Sequence, residues 1–254
     1  MASVSDSRSE DQGIAGFADG VRYHSARPDY PLEAVRFLVE ALGIDSDAHV
    51  VDLGAGTGIF TDHLIPFGPR ITAVEPAPGM RAVLEQRLPT VTVLDGRDDN
   101  IPLESGCADC VVVAQAFHWF DAPVALEEIH RVLVDGGGLG LVWNERDESV
   151  EWVAALGRAM QWPEHQPYKV GSDFTPVITA GPFVNVERRK FAHAQVLDHT
   201  HLAQRVLTTS YIAVMGADER SALMENVAAV IRDLSDPVEL PYVTDVYRAT
   251  AMIR

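Results

Sequence analysis

The sequence predicts an α/β protein with a doubly wound, mostly parallel sheet, and three observations carry that reading. Short β-rich runs alternate with helical stretches from about residue 48 to residue 143, the pattern of βαβ units with right-handed crossovers. The apolar run Val50-Val51-Asp52-Leu53 passes directly into Gly54, Gly56 and Gly58, as a strand entering a ligand-cradling turn does. A second run, Ile71-Thr72-Ala73-Val74, ends on Glu75, which puts another acid at the carboxyl end of a strand, where such sheets bind their ligands.

The elements follow in chain order. Residues 1–16 are polar and rich in Ser and Asp, the composition of a disordered tail. Leu32, Val35, Leu38, Val39 and Leu42 recur at helical spacing before Gly43, so 31–42 is expected to be an amphipathic helix packed on the sheet. Strands are expected near 48–53, 71–75, 91–95, 109–115 and 138–143, with helices near 58–66, 79–88 and 122–133. From 145 to 182 the pattern changes: Trp152, Trp162, Pro163, His165, Pro167, Tyr168, Pro176 and Pro182 mix aromatics with prolines without strand period. That stretch reads as a small cap on the substrate side. Residues 183–197 alternate as a strand, 200–215 and 219–234 are helical, and 238–247 forms a last strand. No internal repeat is visible.

Composition limits the functions available. A chain of 254 residues with 47% hydrophobic content can bury one sizeable core, so 17–254 is expected to be a single domain. Twenty basic residues against 37 acidic ones give a net charge of −17, the reverse of the footprint that nucleic-acid phosphates require. No run approaches the roughly 18 apolar residues of a membrane span, and the first ten residues lack a signal-peptide core. A cytoplasmic protein is expected. Cys107 and Cys110 have Cys-x-x-Cys spacing but no second ligand pair, so they are expected to be ordinary thiols and no metal site stands out.

The ligand can be argued from charge. A pyrophosphate needs a bare helix N-terminus with its ribose-binding acid about 20 residues further on. Here Asp52 stands two residues before the first glycine, and the spacing is Gly-x-Gly-x-Gly rather than Gly-x-Gly-x-x-Gly. An early carboxylate repels phosphate and suits an amine or a sulfonium, while Glu75 can accept hydrogen bonds from a ribose diol. A phosphate-free adenosine carrying positive charge satisfies both acids. A nicotinamide oxidoreductase is the weaker alternative.

Five segments resemble the class I S-adenosylmethionine-dependent methyltransferases: Val-Asp-Leu-Gly-Ala-Gly-Thr-Gly (51–58), Ala-Val-Glu-Pro (73–76), Gly-Arg-Asp-Asp-Asn-Ile-Pro-Leu (96–103), Gln-Ala-Phe-His-Trp-Phe-Asp (115–121) and Leu-Val-Trp-Asn (141–144). The likeness is greatest to the small-molecule branch that includes trans-aconitate methyltransferase-like proteins. It implies a Rossmann-like sheet of seven strands whose last two form an antiparallel edge hairpin. It also implies S-adenosyl-L-methionine as cofactor and S-adenosyl-L-homocysteine as product. Carried onto this chain, Asp52, Gly54, Gly56 and Gly58 take the methionine end, Glu75 with Pro76 the ribose, and Asp98 or Asp99 the adenine edge, with Gln115 near the donor. Arg97 after Gly96 departs from the commoner motif and leaves both acids open. The stretch 23–31, with Tyr23, Arg27 and Tyr30, resembles the lead-in that closes over the donor, so 17–46 is expected to be a lid. Arg27 either pairs with a carboxylate through its fork or pins this segment to the domain.

Methyl transfer from a sulfonium needs no covalent intermediate. The protein's task is to hold donor and acceptor in line and exclude water, worth roughly 7–11 kcal/mol. His118 is the candidate for taking a proton from the acceptor, a structural histidine being the other reading. Trp119 and Phe120 either face the sulfonium, at about 0.5–2 kcal/mol, or pack the top of the sheet. Tyr30, Trp119, Trp143, Asn144 and Tyr211 are the candidate acceptor contacts. The expected reaction is O-methylation of a carboxylate or hydroxyl on a small molecule, with N- or C-methylation and a non-methylating cofactor-binding protein, a cyclase or ligand-binding module, as alternatives. The sequence is silent on oligomeric state.

Overall fold

The computed structural model describes residues 20–162 and 173–254, with the side chains of Arg22 and Tyr23 left out. The tail expected at 1–16, the start of the lid at 17–19 and the part of the cap at 163–172, with Pro163, His165, Pro167 and Tyr168, lie outside the described residues.

The chain runs α1 (Gly20–Ala26), α2 (Leu32–Leu42), β1 (His49–Leu53), α3 (Ile59–Leu64), β2 (Arg70–Val74), α4 (Pro78–Arg87), β3 (Thr92–Leu94), β4 (Ala108–Ala114), α5 (Ala122–Val132) and β5 (Leu133–Arg146). It continues through α6 (Glu151–Ala159), α7 (Thr175–Ala180), β6 (Phe183–Leu197), α8 (His199–Leu207), α9 (Ser210–Ala213), α10 (Ala217–Ile231) and β7 (Val238–Ala251). The seven strands lie in the order β3-β2-β1-β4-β5-β7-β6. Strands β1 to β5 pair in parallel, and β7 pairs antiparallel with both β5 and β6. This is the expected Rossmann-like sheet with its antiparallel edge, β7 inserting between β5 and β6.

Period-two alternation separates two cores across the sheet. Val51, Leu53, Val111, Val113, Leu139 and Leu141 face Leu126 and Ile129 of α5. Val50, Val112 and Val142 face Val35 and Leu38 of α2 and Phe60 and Leu64 of α3. All five residues of β1 are buried, because a parallel strand at the centre of a doubly covered sheet meets helices on both sides. Each of these aliphatic side chains contributes roughly 1.5–3 kcal/mol by leaving water. Cys110 lies in the second core, where burial pushes its thiol up to about 12; it and Cys107 are free thiols.

Two expectations about the last third of the chain need correcting. The helix expected over 200–215 is two helices, since Thr208 and Thr209 interrupt it between α8 and α9. The cap is also larger than 145–182. Val153 and Leu156 of α6 share a third core with Leu202 and Val206 of α8, Ile212 of α9, Leu223 and Val227 of α10, and Leu240 of β7. An isolated α6 could not bury its apolar stripe, so helices inserted between β6 and β7 complete it. No helix among the described residues is long and apolar enough to cross a membrane.

Candidate active site

The carboxyl ends of β1, β2, β4 and β5 open into one cavity roofed by the cap. Its floor is the glycine turn. Gly54, Gly56 and Gly58 all have positive φ, at 71°, 57° and 77°, a region that costs a side-chain-bearing residue about 1–2 kcal/mol. A Cβ on Gly54 would lie 2.6 Å from Cβ of Ala116, whereas one on Gly56 would meet only open space. Gly54 and Gly56 line the cavity. Gly58 does not; a Cβ there would press at 3.0 Å on Leu84 of α4 and on Leu88 just after it.

Glu75 stands on the cavity wall, 7% exposed. Its Oε2 accepts the Gly56 N–H and its Oε1 the Ala77 N–H, both at 2.8 Å. Burial raises its pKa while these two amides lower it, so the carboxylate is held rigidly with lone pairs left for a diol. Pro76 lines the wall beside it. Between the two acids left open, the structure turns Asp98 inward. Arg97 and Asn100 exchange backbone hydrogen bonds at 3.3 and 3.2 Å, and that tight turn buries Asp98 to 6% exposure on the cavity wall while Asp99 faces solvent.

Asp52 departs from its expected place. It is fully buried between β1 and α3 and is not on the cavity wall. Thr61 Oγ1–H donates to its Oδ2 at 2.6 Å, and its Oδ1 has no hydrogen-bond partner among the described residues. Burial first, with Glu75 nearby, pushes its carboxyl up to about 7. The reason is register: Asp52 shares the strand face of Val50, which the α3 side covers.

Gln115, at the tip of β4, has φ 58°, held there by its N–H to Val142 O at 2.8 Å and its Nε2–H to Asn144 O at 3.0 Å. It lines the cavity with Trp119, Phe120 and His118. His118 lies on a single 3-10 turn, Phe117–Trp119, and its Nδ1 accepts the Trp143 Nε1–H at 3.2 Å. An indole only donates, so the His118 proton is on Nε2. Burial, then the charge of Arg27, pushes its pKa down to about 3, which favours the structural histidine of the two readings.

Trp143 and Tyr211 do not reach the cavity. Trp143 is 1% exposed and stacks on Phe174 at 4.3 Å; its part is to hold His118. Tyr211 O–H donates to Met160 O at 2.5 Å, fastening α9 to the end of α6. Asn144 lines the cavity but spends its amide elsewhere, donating to Asp29 O at 3.0 Å and accepting from Thr244 Oγ1 at 2.6 Å.

The N-terminal segment is thereby seated over the site. Arg27 donates from Nη2 to Thr208 O at 3.0 Å, His24 Nδ1 meets Thr57 Oγ1 at 3.0 Å, and His63 pairs with Asp29. Tyr30 packs edge-on to Phe60 at 5.0 Å and, like Arg27, lines the cavity. Tyr23 falls in α1, and its side chain is outside the described set.

Among the wall residues that escaped sequence reasoning are Arg146, Arg205, Thr209 and Tyr242. A signal for one existed. Arg205 shares its helix face with Leu202 and Val206, and all three are buried, so a cation interrupts an apolar register. Arg205 Nε and Nη1, Thr209 Oγ1 and the Tyr242 hydroxyl have no hydrogen-bond partner among the described residues. Each such orphan costs about 1–3 kcal/mol.

A sheet of this order, with glycines and acids gathered at its carboxyl tips, defines an α/β nucleotide-type site. Residues 51–141 match the family described as "Methyltransferase domain". The chain is 37% identical over 237 residues to an uncharacterized methyltransferase of Mycobacterium tuberculosis, covering 90% of this chain and 92% of the relative. It is 32% identical to an uncharacterized methyltransferase-like protein of Schizosaccharomyces pombe, covering 89% and 91%. Among solved structures, it is similar to the YcgJ protein of Bacillus subtilis, with a TM-score of 0.59 and 17% identity over 87% of this chain and 99% of that one. A phosphoethanolamine N-methyltransferase 2 of Haemonchus contortus, in complex with S-adenosyl-L-methionine, gives a TM-score of 0.52 at 14% identity, covering 87% of this chain and 53% of that one. The chain belongs to the class I S-adenosylmethionine-dependent methyltransferases.

Proposed function

We propose that this enzyme methylates an oxygen of a small acidic molecule, a carboxylate in preference to a hydroxyl. The single observation that carries the reading is the placement of His118, which lines the cavity while its Nδ1 accepts from the Trp143 indole, with burial and the nearby Arg27 charge holding the ring neutral. A neutral N–H donor beside the Arg27 cation suits an anionic oxygen, and a carboxylate needs no base to become nucleophilic.

The residues present fit the family's donor. Gly54 and Gly56 leave the floor without side chains, Glu75 offers a fixed carboxylate to a ribose diol, and Asp98 offers another to the adenine edge. S-Adenosylmethionine supplies an electrophilic methyl group on a good leaving group. Gln115, Trp119 and Phe120 line the other side, and residues of the N-terminal segment and the cap complete the wall. The protein's contribution is positioning and desolvation.

The test is incubation with methyl-labelled donor and a metabolite extract, followed by mild alkali. A carboxyl methyl ester releases its label as volatile methanol, the expected result. Label that survives alkali would point to an ether, N- or C-methyl product and overturn the carboxylate reading.

A further inference from the structure

We propose that Arg205, Thr209 and Tyr242, with Arg146 beside them, form a subsite for an oxyanion, carboxylate or phosphate, borne by the acceptor away from the atom that takes the methyl group. The inference rests on the reading above that an acceptor enters this cavity.

Three independent segments bring the subsite together. Arg205 lies near the end of α8, Thr209 in the break before α9, and Tyr242 on β7, directly paired with Arg146 at the tip of β5. The first three are 8%, 6% and 1% exposed, and all four line the cavity. The atoms without partners, two guanidinium N–H groups and two hydroxyls, can all donate. An oxyanion can accept from all of them, bidentately from a guanidinium.

Charge points the same way. Desolvation first, then the field of Arg205, lowers the pKa of half-buried Arg146, while Tyr242, Tyr211 and Glu148 act in the opposite direction. Glu145 and Glu148 share the wall, yet neither accepts from the Arg205 Nε or Nη1. Two like charges brought together in a chain of net charge −17 call for an anion between them. The subsite stands apart from the donor wall. Glu75 directly follows β2 and Arg146 ends β5, three strands away in the sheet, or about 14 Å.

Thermal unfolding of the full chain, saturated with S-adenosylhomocysteine, tests this with sodium phosphate, sodium malonate and sodium chloride at equal ionic strength. Saturable protection by phosphate or by malonate beyond chloride is expected, and the better of the two identifies the oxyanion. Arg205→Met is expected to unfold no earlier than the native chain in chloride, because an orphaned buried cation is gone, and to need at least tenfold more anion for equal protection. Tyr242→Phe, which keeps the packing, is expected to need threefold or more. Equal protection in native, Arg205→Met and Tyr242→Phe chains, or none beyond chloride in any, overturns the subsite. Should Arg205→Met not fold, Tyr242→Phe decides alone. Loss of S-adenosylhomocysteine binding in the native chain would instead strike the donor-site reading, so the two failures are distinguishable.

Discussion

The Trp143 indole N–H donates to His118 Nδ1 at 3.2 Å, and that one bond decides what the histidine can do. With the lone pair of Nδ1 taken, the proton sits on Nε2 of a ring that lines the cavity. His118→Gln keeps an N–H near the Nε2 position and is expected to stay within about tenfold of native kcat/KM, whereas His118→Ala loses a hydrogen bond to a charged oxygen, about 1.5–3 kcal/mol or roughly 10–150-fold. Steady-state kinetics on both variants decide the matter. Equal losses, together with a native pH profile showing a group titrating near 6.5, would restore the base.

Glu75 and Asp98 are expected to account for most of the donor's polar recognition. Replacing Glu75 by Gln puts an amide N–H against the Gly56 or Ala77 N–H, both 2.8 Å away, so even this isosteric change is expected to weaken S-adenosylmethionine binding by about 1–3 kcal/mol. Asp98→Ala is expected to cost a similar amount and the exposed Asp99→Ala nothing measurable. Titration calorimetry on the three variants separates them; an unaffected Asp98→Ala would move the adenine edge elsewhere.

Gly54→Ala and Gly56→Ala are expected to fail in different ways. At Gly54 the new methyl meets Ala116 at 2.6 Å on top of a φ of 71°, which should cost about 2–5 kcal/mol of stability. At Gly56 the methyl stands in open space at a φ of 57°, costing about 1–2 kcal/mol of stability while obstructing the donor floor. Denaturant unfolding paired with donor titration reads both losses, and a Gly56→Ala chain with native donor affinity would remove that residue from the floor.

Asp52 makes stability depend on pH with a definite sign. Its carboxyl titrates near 3.8 in the unfolded chain and at about 7 in the folded one, so between those values the folded state holds a proton that the unfolded state has released. Stability is therefore full below about pH 4 and declines as pH rises through 7, by roughly 4 kcal/mol at most. Asp52→Asn removes the decline. The Tm of this variant relative to native should be higher at pH 8 than at pH 4, and a Tm difference that does not change with pH would show that Asp52 is ionised in the fold.

What could be read ahead of the structure was local. The 183–197 strand, the 122–133 helix and the glycine turn announce themselves through spacing within one element, and Glu75 ends its strand in plain view. Asp98 and Asp99 were inseparable because adjacent residues differ only in which way a turn points them. Asp52 was misplaced because the motif names the residue but not the strand face that α3 covers.

The sequence by itself determined the alternation of strands and helices up to β5, the glycine turn and the position of Glu75 at a strand end, because hydrophobic period and glycine spacing act over a few residues. Only the tertiary structure decided the acceptor wall, the seating of the N-terminal segment and the proton on His118. Arg146, Arg205 and Tyr242 come from β5, α8 and β7, and they meet only once an antiparallel edge and an inserted helical cap bring distant residues to one cavity wall.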